Sequence, residues 1–453
     1  MVLRAWWYSG VAAGVILVGG CGAHVSSSAL PLTQSGRMPG LPADGAGKIQ
    51  HIVYIVQENR SFNNLFYGYP GAYTVTSGRD SKGEMVQLQP ISLHVQYVID
   101  HSSSAMFFAC HGRGKLFGTK CRMDGFNLEW WNGGPQRVKY PQYAYVPQRE
   151  TKPYFAMAHQ WVLADRMFQS QLDESFVAHQ YVIAAQAQRS VDLPFGPWGC
   201  EPGPSDYINT LTDRRKIGKP ELPCFDYETL GDELDDAGLS WKFYTSWYDT
   251  PSSGFGAVWS AYQAVNHIYN GPDWKKDVIT PQKQFFYDIA KGKLANFTWI
   301  TPICANSDHP NCQGGYGPSW VAALVNAIGE SKFWDSTAIF VQWDDWGGLY
   351  GPVPPPFVDY DGLGFRVPLL VISPYAKHDY VSHKRYETAS VLRFAENLWG
   401  LAQLAAADRR ANSPALDCFD FSEKPRKFVR IPAPKGRGFF LHQGDDSRIP
   451  DDQ

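Results

Sequence analysis

The stretch His51-Ile52-Val53-Tyr54-Ile55-Val56-Gln57-Glu58-Asn59-Arg60-Ser61-Phe62 decides how the chain folds. From Ile52 to Val56 it is an unbroken run of β-branched and aromatic residues. That is the pattern of a strand buried on both faces, as in a parallel sheet. The run then stops in an amide, a carboxylate and a second amide. A distant run, Thr337-Ala338-Ile339-Phe340-Val341-Gln342-Trp343, stops in a similar way, in Asp344-Asp345-Trp346-Gly347-Gly348. Open α/β sheets bind their ligands beyond the carboxyl ends of the strands. Hard divalent cations take carboxylate, amide and hydroxyl oxygens. Two strand ends rich in such donors, one of them at a tight Gly-Gly turn, point to a hydrolytic metal site.

Outward from these strands, helical and strand patterns alternate. Tyr154 to Phe168 has helical and then strand character, and Tyr227 to Ala237 reads as an amphipathic helix stopped by Gly238. Ser240 to Tyr244, Asn296 to Ile300 and Val367 to Ile372 read as short strands; Trp320 to Phe333 and Ser390 to Trp399 read as helices. This alternation predicts one large α/β domain, residues 48–425, with a mostly parallel central sheet flanked by helices. A Gly/Pro-rich segment, about residues 193–223, predicts a surface insertion. Residues 426–453, basic and then acidic, predict a poorly ordered tail.

The chain has 41 Lys and Arg against 44 Asp and Glu in 453 residues, a formal charge of −3, so no basic field for nucleic acid exists. The cluster Arg214-Arg215-Lys216 reads as a solvated loop. The 16 Trp, 24 Tyr and 26 Phe are chiefly core material, with an aromatic pocket or membrane-facing rim left open.

Residues 1–21 read as an export signal. Arg4 precedes an apolar stretch, Val11 to Gly20, too short and Gly-rich for a membrane span. It ends in Leu17-Val18-Gly19-Gly20-Cys21, which resembles a bacterial lipoprotein signal with Cys21 as the lipidated residue. An ordinary cleaved signal with an incidental cysteine is the alternative. Residues 22–47, rich in Ser, Gly, Pro and Ala, predict a flexible tether. The expectation is an exported protein, anchored by lipid and facing the periplasm or the cell exterior. Outside the cytoplasm, close cysteine spacing favours disulfides over zinc. Cys110–Cys121, Cys200–Cys224 and Cys304–Cys312 are the economical local pairs, leaving Cys418 single.

Glu58-Asn59-Arg60-Ser61-Phe62-Asn63 resembles the E-N-R-S-F-D signature of the bacterial phospholipase C and acid phosphatase phosphoesterases, a branch of the alkaline-phosphatase-like superfamily. Met123-Asp124-Gly125-Phe126, Leu163-Ala164-Asp165-Arg166-Met167-Phe168 and Ala237 to Tyr244 resemble further blocks of that family, in family order. So do Trp343 to Gly348 and Val367 to Tyr375. The resemblance implies that Glu58, Asn59, Asp344 and Asp345 hold a divalent metal ion, in an all-oxygen shell that leaves its identity open.

The resemblance also implies a nucleophile at Ser175, in Asp173-Glu174-Ser175-Phe176-Val177-Ala178-His179, forming a phosphoseryl intermediate. His179 then takes the basic position. Read from the residues alone, Ser175 is a cap for a helix starting at Phe176. His101 and His309 fall where similar proteins carry active-site histidines, which donate to phosphate oxygens or protonate the leaving group. Asp124 is a weaker candidate, His51 simply precedes the strand, and His383 is left open. One departure stands out: the Asp-His that usually follows the aromatic after the Gly-Gly turn is replaced after Tyr350 by Gly351-Pro352. The implied function is an exported metal-dependent phosphoesterase of phospholipase C type, acting on phospholipid or a small phosphate ester. A nonspecific acid phosphatase and a catalytically silent envelope lipoprotein that binds a phosphorylated ligand are the alternatives.

Overall fold

Ile52 to Val56 lose all solvent exposure in a seven-residue strand, β1 (His51–Gln57), at the centre of the sheet. Burying each such side chain contributes about 1.5–3 kcal/mol. The computed structural model describes residues 45, 47–133, 138–195, 199–200, 206–246, 259–312, 314–444 and 446. The expected leader (1–21), Cys21 and the tether through residue 44 lie outside them.

Eight further strands complete the sheet among the described residues. They are β2 (Val162–Phe168), β3 (Trp241–Tyr244), β4 (Val278–Ile279), β5 (Phe297–Ile300) and β6 (Thr337–Trp343). The others are β7 (Arg366–Ile372), β8 (Tyr380–Ser382) and β9 (Tyr386–Glu387). The order is β4-β3-β5-β1-β6-β7-β2-β8, with β9 also on β2. All neighbours run parallel except β7, which is antiparallel to both β6 and β2. Residues 344–365 contain no helix. With no crossover helix to carry the chain back, β7 enters the sheet from the edge at which β6 left it.

The flanking helices include α1 (Phe62–Leu65), α2 (Ser103–Cys110), α3 (Gln148–Gln160) and α4 (Ser175–Ala184). They continue with α5 (Leu230–Asp236), α6 (Gly317–Gly329), α7 (Ser390–Trp399) and α8 (Arg437–His442). Thr229 starts α5 with a capping box to Asp232, and Gly400, at φ 72°, ends α7 in the left-handed conformation. The chain is an α/β domain with a large, mostly parallel sheet flanked by helices.

All three local disulfides form, and Cys418 is free and buried. Within the expected insertion, Tyr207–Thr210 pairs antiparallel with Ser190–Phe195, so the hairpin begins a few residues earlier than composition suggested. The expectation of a poorly ordered tail is corrected for residues 426–444. Phe428 stacks on Trp161 with ring centroids 6.0 Å apart, and Asn326 exchanges two hydrogen bonds, 2.9 and 2.8 Å, with the backbone of Ile431. Phe440 of α8 is buried as well. Three apolar side chains spaced through a charged segment are enough to hold it down, which a count of charges overlooks. No described helix is long and apolar enough to cross a membrane.

Candidate active site

The parallel register from His51↔Thr337 to Gln57↔Trp343 sets the arrangement at the strand ends. Both chains leave the sheet at the same level, so Glu58-Asn59 and Asp344-Asp345 emerge side by side. Asp344 N donates to Gln57 O (2.9 Å), Arg60 N to Asp345 O (3.0 Å) and Asn59 N to Asp344 Oδ1 (2.9 Å). Asn59 adopts φ 57°, a left-handed conformation that asparagine tolerates better than most residues. The Gly-Gly turn is required sterically. Gly347 sits at φ 60°, and a Cβ there would collide with Asn59 O.

Helix α4 brings the third part. Ser175 and His179 are four residues apart and therefore share one helix face. Ser175 Oγ donates to Asp345 Oδ2 at 3.4 Å. Ser175 is the first helical residue and makes no capping bond; the cap position belongs to Glu174. His179 Nε2 lies 3.2 Å from Glu58 Oε1 and 3.7 Å from Asp344 Oδ2. One ligand atom from each of Glu58, His179 and Asp344 falls within 4.8 Å of the others. The resemblance gave His179 the basic position after the nucleophile and implied an all-oxygen shell; here an imidazole nitrogen stands between two carboxylates of that set.

Asp345 Oδ1 accepts from Gly347 N at 2.7 Å, leaving Oδ2 to face Ser175, Asn59 Nδ2 (3.4 Å) and His101 Nε2 (3.6 Å). His101 Nδ1 donates to Ile99 O at 2.8 Å, and Nε2 accepts from Asn59 Nδ2 at 2.7 Å. Neutral His101 therefore presents a lone pair, and donates into the site only when protonated. His309 lies beyond it, ring centroids 6.5 Å apart, with Nδ1 on Pro310 O. All eight named side chains are buried.

These residues suit a divalent cation. Glu58, Asp344 and Asp345 are three fully buried carboxylates, more negative charge than the adjacent imidazoles can balance. Asn59 Oδ1 and Asp344 Oδ2 are buried oxygens that accept no hydrogen bond among the described residues. One nitrogen beside these oxygens keeps Mg²⁺ and Mn²⁺ in range and adds Zn²⁺.

Sequence reasoning missed the supports. Arg60, within the signature itself, is fully buried and donates from Nε to Asp308 O at 2.7 Å. Gln57 Oε1 accepts from Asp308 N at 2.9 Å. Asp308 Oδ2 takes hydrogen bonds from Tyr154 (2.7 Å) and Trp343 Nε1 (2.9 Å). Burial pushes the Asp308 carboxyl up to about 6, while these donors and Arg60 pull it down. The polar residues following β1 were the available signal, since buried amides and guanidinium groups need partners. The residues given less weight lie elsewhere. Asp124 pairs with His111 (2.7 Å), His383 with Asp165 (2.9 Å), and His51 starts β1 at the end opposite Glu58.

A strand-end site with a serine hydroxyl on a buried carboxylate, beside a carboxylate–imidazole cluster, suits hydrolysis of an ester bond. Residues 49–402 match the profile of the Phosphoesterase family, and the chain belongs to that family. Phospholipase C A of Mycobacterium tuberculosis is 26% identical over 402 residues, covering 78% of this chain and 73% of the relative. The non-hemolytic phospholipase C of Pseudomonas aeruginosa is 24% identical over 463 residues, covering 86% of this chain and 60% of its own. Among solved structures, a protein in the alkaline phosphatase superfamily from Vibrio parahaemolyticus aligns with TM-score 0.39 at 11% identity, over 82% of this chain and 73% of that one.

Proposed function

We propose that this protein is a metal-dependent phosphoesterase of phospholipase C type in which Ser175 attacks phosphorus. The observation that carries this reading is the 3.4 Å approach of Ser175 Oγ to Asp345 Oδ2, beside the Glu58–His179–Asp344 cluster. Glu58, Asn59, His179, Asp344 and Asp345 would hold the cation. When bound, the cation neutralises charge on the phosphoryl oxygens and makes a serine hydroxyl a competent nucleophile at neutral pH.

The chain's own groups do the rest. Asp345 Oδ2 orients the hydroxyl through its hydrogen bond. The first amides of α4 offer N–H groups to a phosphoryl anion arriving at Ser175. His101 Nε2, 3.6 Å from Asp345 Oδ2, passes the proton that Ser175 gives up to the leaving oxygen, with His309 beside it. The ester bond to the alcohol breaks as the Ser175–phosphorus bond forms, and water then releases phosphate monoester from the serine. A phospholipid is the substrate class that fits the relatives' names.

The loop after Tyr350 favours a second reading, a silent binder, because Gly351-Pro352 offers no side chain able to titrate. Release of phosphocholine from phosphatidylcholine, compared with hydrolysis of p-nitrophenyl phosphate and repeated with EDTA, decides between them. Chelator-sensitive lipid cleavage is the expected result. Hydrolysis of the soluble ester alone assigns a nonspecific phosphatase, and no hydrolysis with any divalent metal sinks the catalytic reading.

A further inference from the structure

The basic cluster read from sequence as a solvated loop is not uniform. Arg214 and Lys216 are exposed, but Arg215 between them is 3% exposed and acts as a staple. Its NH1 donates to Phe117 O (2.9 Å) and Gly118 O (3.1 Å), and its Nε to Tyr360 O (2.7 Å). Its guanidinium also lies 5.1 Å from the centre of the Phe357 ring. Three loops remote in sequence are thereby fixed together: the Cys110–Cys121 loop, the 212–218 turn and the 353–361 segment. Each is reached by chain leaving the active site, from His101 through α2, from Ser175 through α4, and from Asp345 through Tyr350. Tyr181 of α4 also hydrogen-bonds Asp361 in the third loop.

The outer side of this assembly carries apolar tips. Phe117 is 62% exposed, Ile217 56% and Phe357 53%. Isolated apolar side chains on a surface need no explanation, but these three stand on loops that one guanidinium joins. The same loops and their ends carry cations: Arg113, Lys115, Lys120, Arg214, Lys216 and Lys219 are not buried. The acids of the same loops have partners of their own. Asp213 pairs with Arg189, Asp359 with Arg410, and buried Asp361 accepts from Tyr181. The chain is acidic as a whole, yet these loops carry more exposed cations than acids beside exposed aromatic and aliphatic tips.

We propose that this face docks the protein onto an anionic phospholipid surface, with Phe117, Ile217 and Phe357 entering the headgroup region and the lysines and arginines pairing with lipid phosphates. Charge complementarity selects that occupant: the apolar tips gain from partial burial in the bilayer interface, which a purely ionic partner would not provide. The purpose of the docking rests on the phospholipid reading above; the binding itself does not.

The test uses the full chain carrying Cys21→Ala, so that no acyl chain contributes. Sedimentation is measured with vesicles of phosphatidylcholine alone and of phosphatidylcholine mixed with phosphatidylglycerol, beside turnover of p-nitrophenyl phosphate. Preference for the mixed vesicles, lost at high salt, is expected. Combining Lys115→Glu, Lys120→Glu and Lys216→Glu should weaken that binding about 100-fold or more, at roughly a fivefold loss for each cation removed. Phe117→Ser should weaken it further, and soluble turnover should stay unchanged in both variants. Equal binding to the two vesicle types, or binding insensitive to these substitutions, overturns the proposal. So does retention on nucleic acid that matches vesicle binding and ignores Phe117→Ser. Loss of turnover in the parent chain with vesicle preference intact sinks the catalytic reading instead.

Discussion

The imidazole Nε2 of His179 stands 3.2 Å from Oε1 of Glu58, although 121 residues separate them. One side chain extends from a helix and the other from the end of the central strand, and both are fully buried. A buried histidine between Glu58 and Asp344 is either a counter-charge or a ligand, and the two roles predict different behaviour. His179→Ala should raise the metal concentration needed for half-maximal turnover tenfold or more, because an inner donor contributes at least as much as its supports do. Titrating activity against Mg²⁺, Mn²⁺ and Zn²⁺ checks this. An unchanged requirement leaves His179 as a counter-charge to the two carboxylates.

Ser175→Ala should lower turnover by about three orders of magnitude or more while leaving melting within a few degrees of the parent. The hydroxyl makes no capping bond, so the helix does not depend on it. Steady-state rates beside calorimetry measure both. Near-full turnover would eliminate the covalent route.

Arg60 holds the 304–312 segment from below, through Asp308 O. Arg60→Ala leaves buried acceptors without a partner and should cost about 3 kcal/mol of stability. Arg60→Lys should recover little, because a lysine cannot reproduce the directed Nε donor. Denaturant unfolding of the two variants distinguishes this supporting role from a direct catalytic one, which would alter rate without stability.

Cys304–Cys312 closes a short loop around His309. Replacing both cysteines by alanine should cost about 2–3 kcal/mol, the value expected for a loop of this length. It should also lower turnover more than removal of Cys200–Cys224, which sits on the hairpin insertion. Comparing unfolding midpoints and rates for the two double variants tests the difference.

Burial raises the Asp361 carboxyl from 3.8 to about 7, against the opposing hydrogen bond from Tyr181. The native state then binds this proton more tightly than the unfolded chain does. Its contribution to stability is full below about pH 4 and is lost as pH rises through about 7. Asp361→Asn keeps an acceptor for Tyr181 and removes the titration. Melting temperature from pH 5 to 8 should fall less in the variant than in the parent; identical slopes would refute the assignment.

Much of this was legible in the residues. The two runs at 51–57 and 337–343 became strands because unbroken β-branched and aromatic side chains suit only a position buried on both faces. The local cysteine pairs came from short separations, and α7 begins and ends where its pattern and Gly400 require. The carboxylates and amide stood out because they end apolar strands, where no fold would leave them by chance. The direction of β7, the burial of Arg215 and the packing of the chain after Phe421 were not legible. Each depends on which surface a segment meets, and local pattern carries no record of that.

The sequence by itself determined the main strands, the family and a set of candidate site residues, because periodicity and residue type act over a few positions and are written in order. Only the tertiary structure decided that His179 faces Glu58, that Ser175 faces Asp345, and that one guanidinium gathers three loops into a charged rim. Those relations depend on strand register and helix placement across more than a hundred residues, where packing of the whole core selects one arrangement.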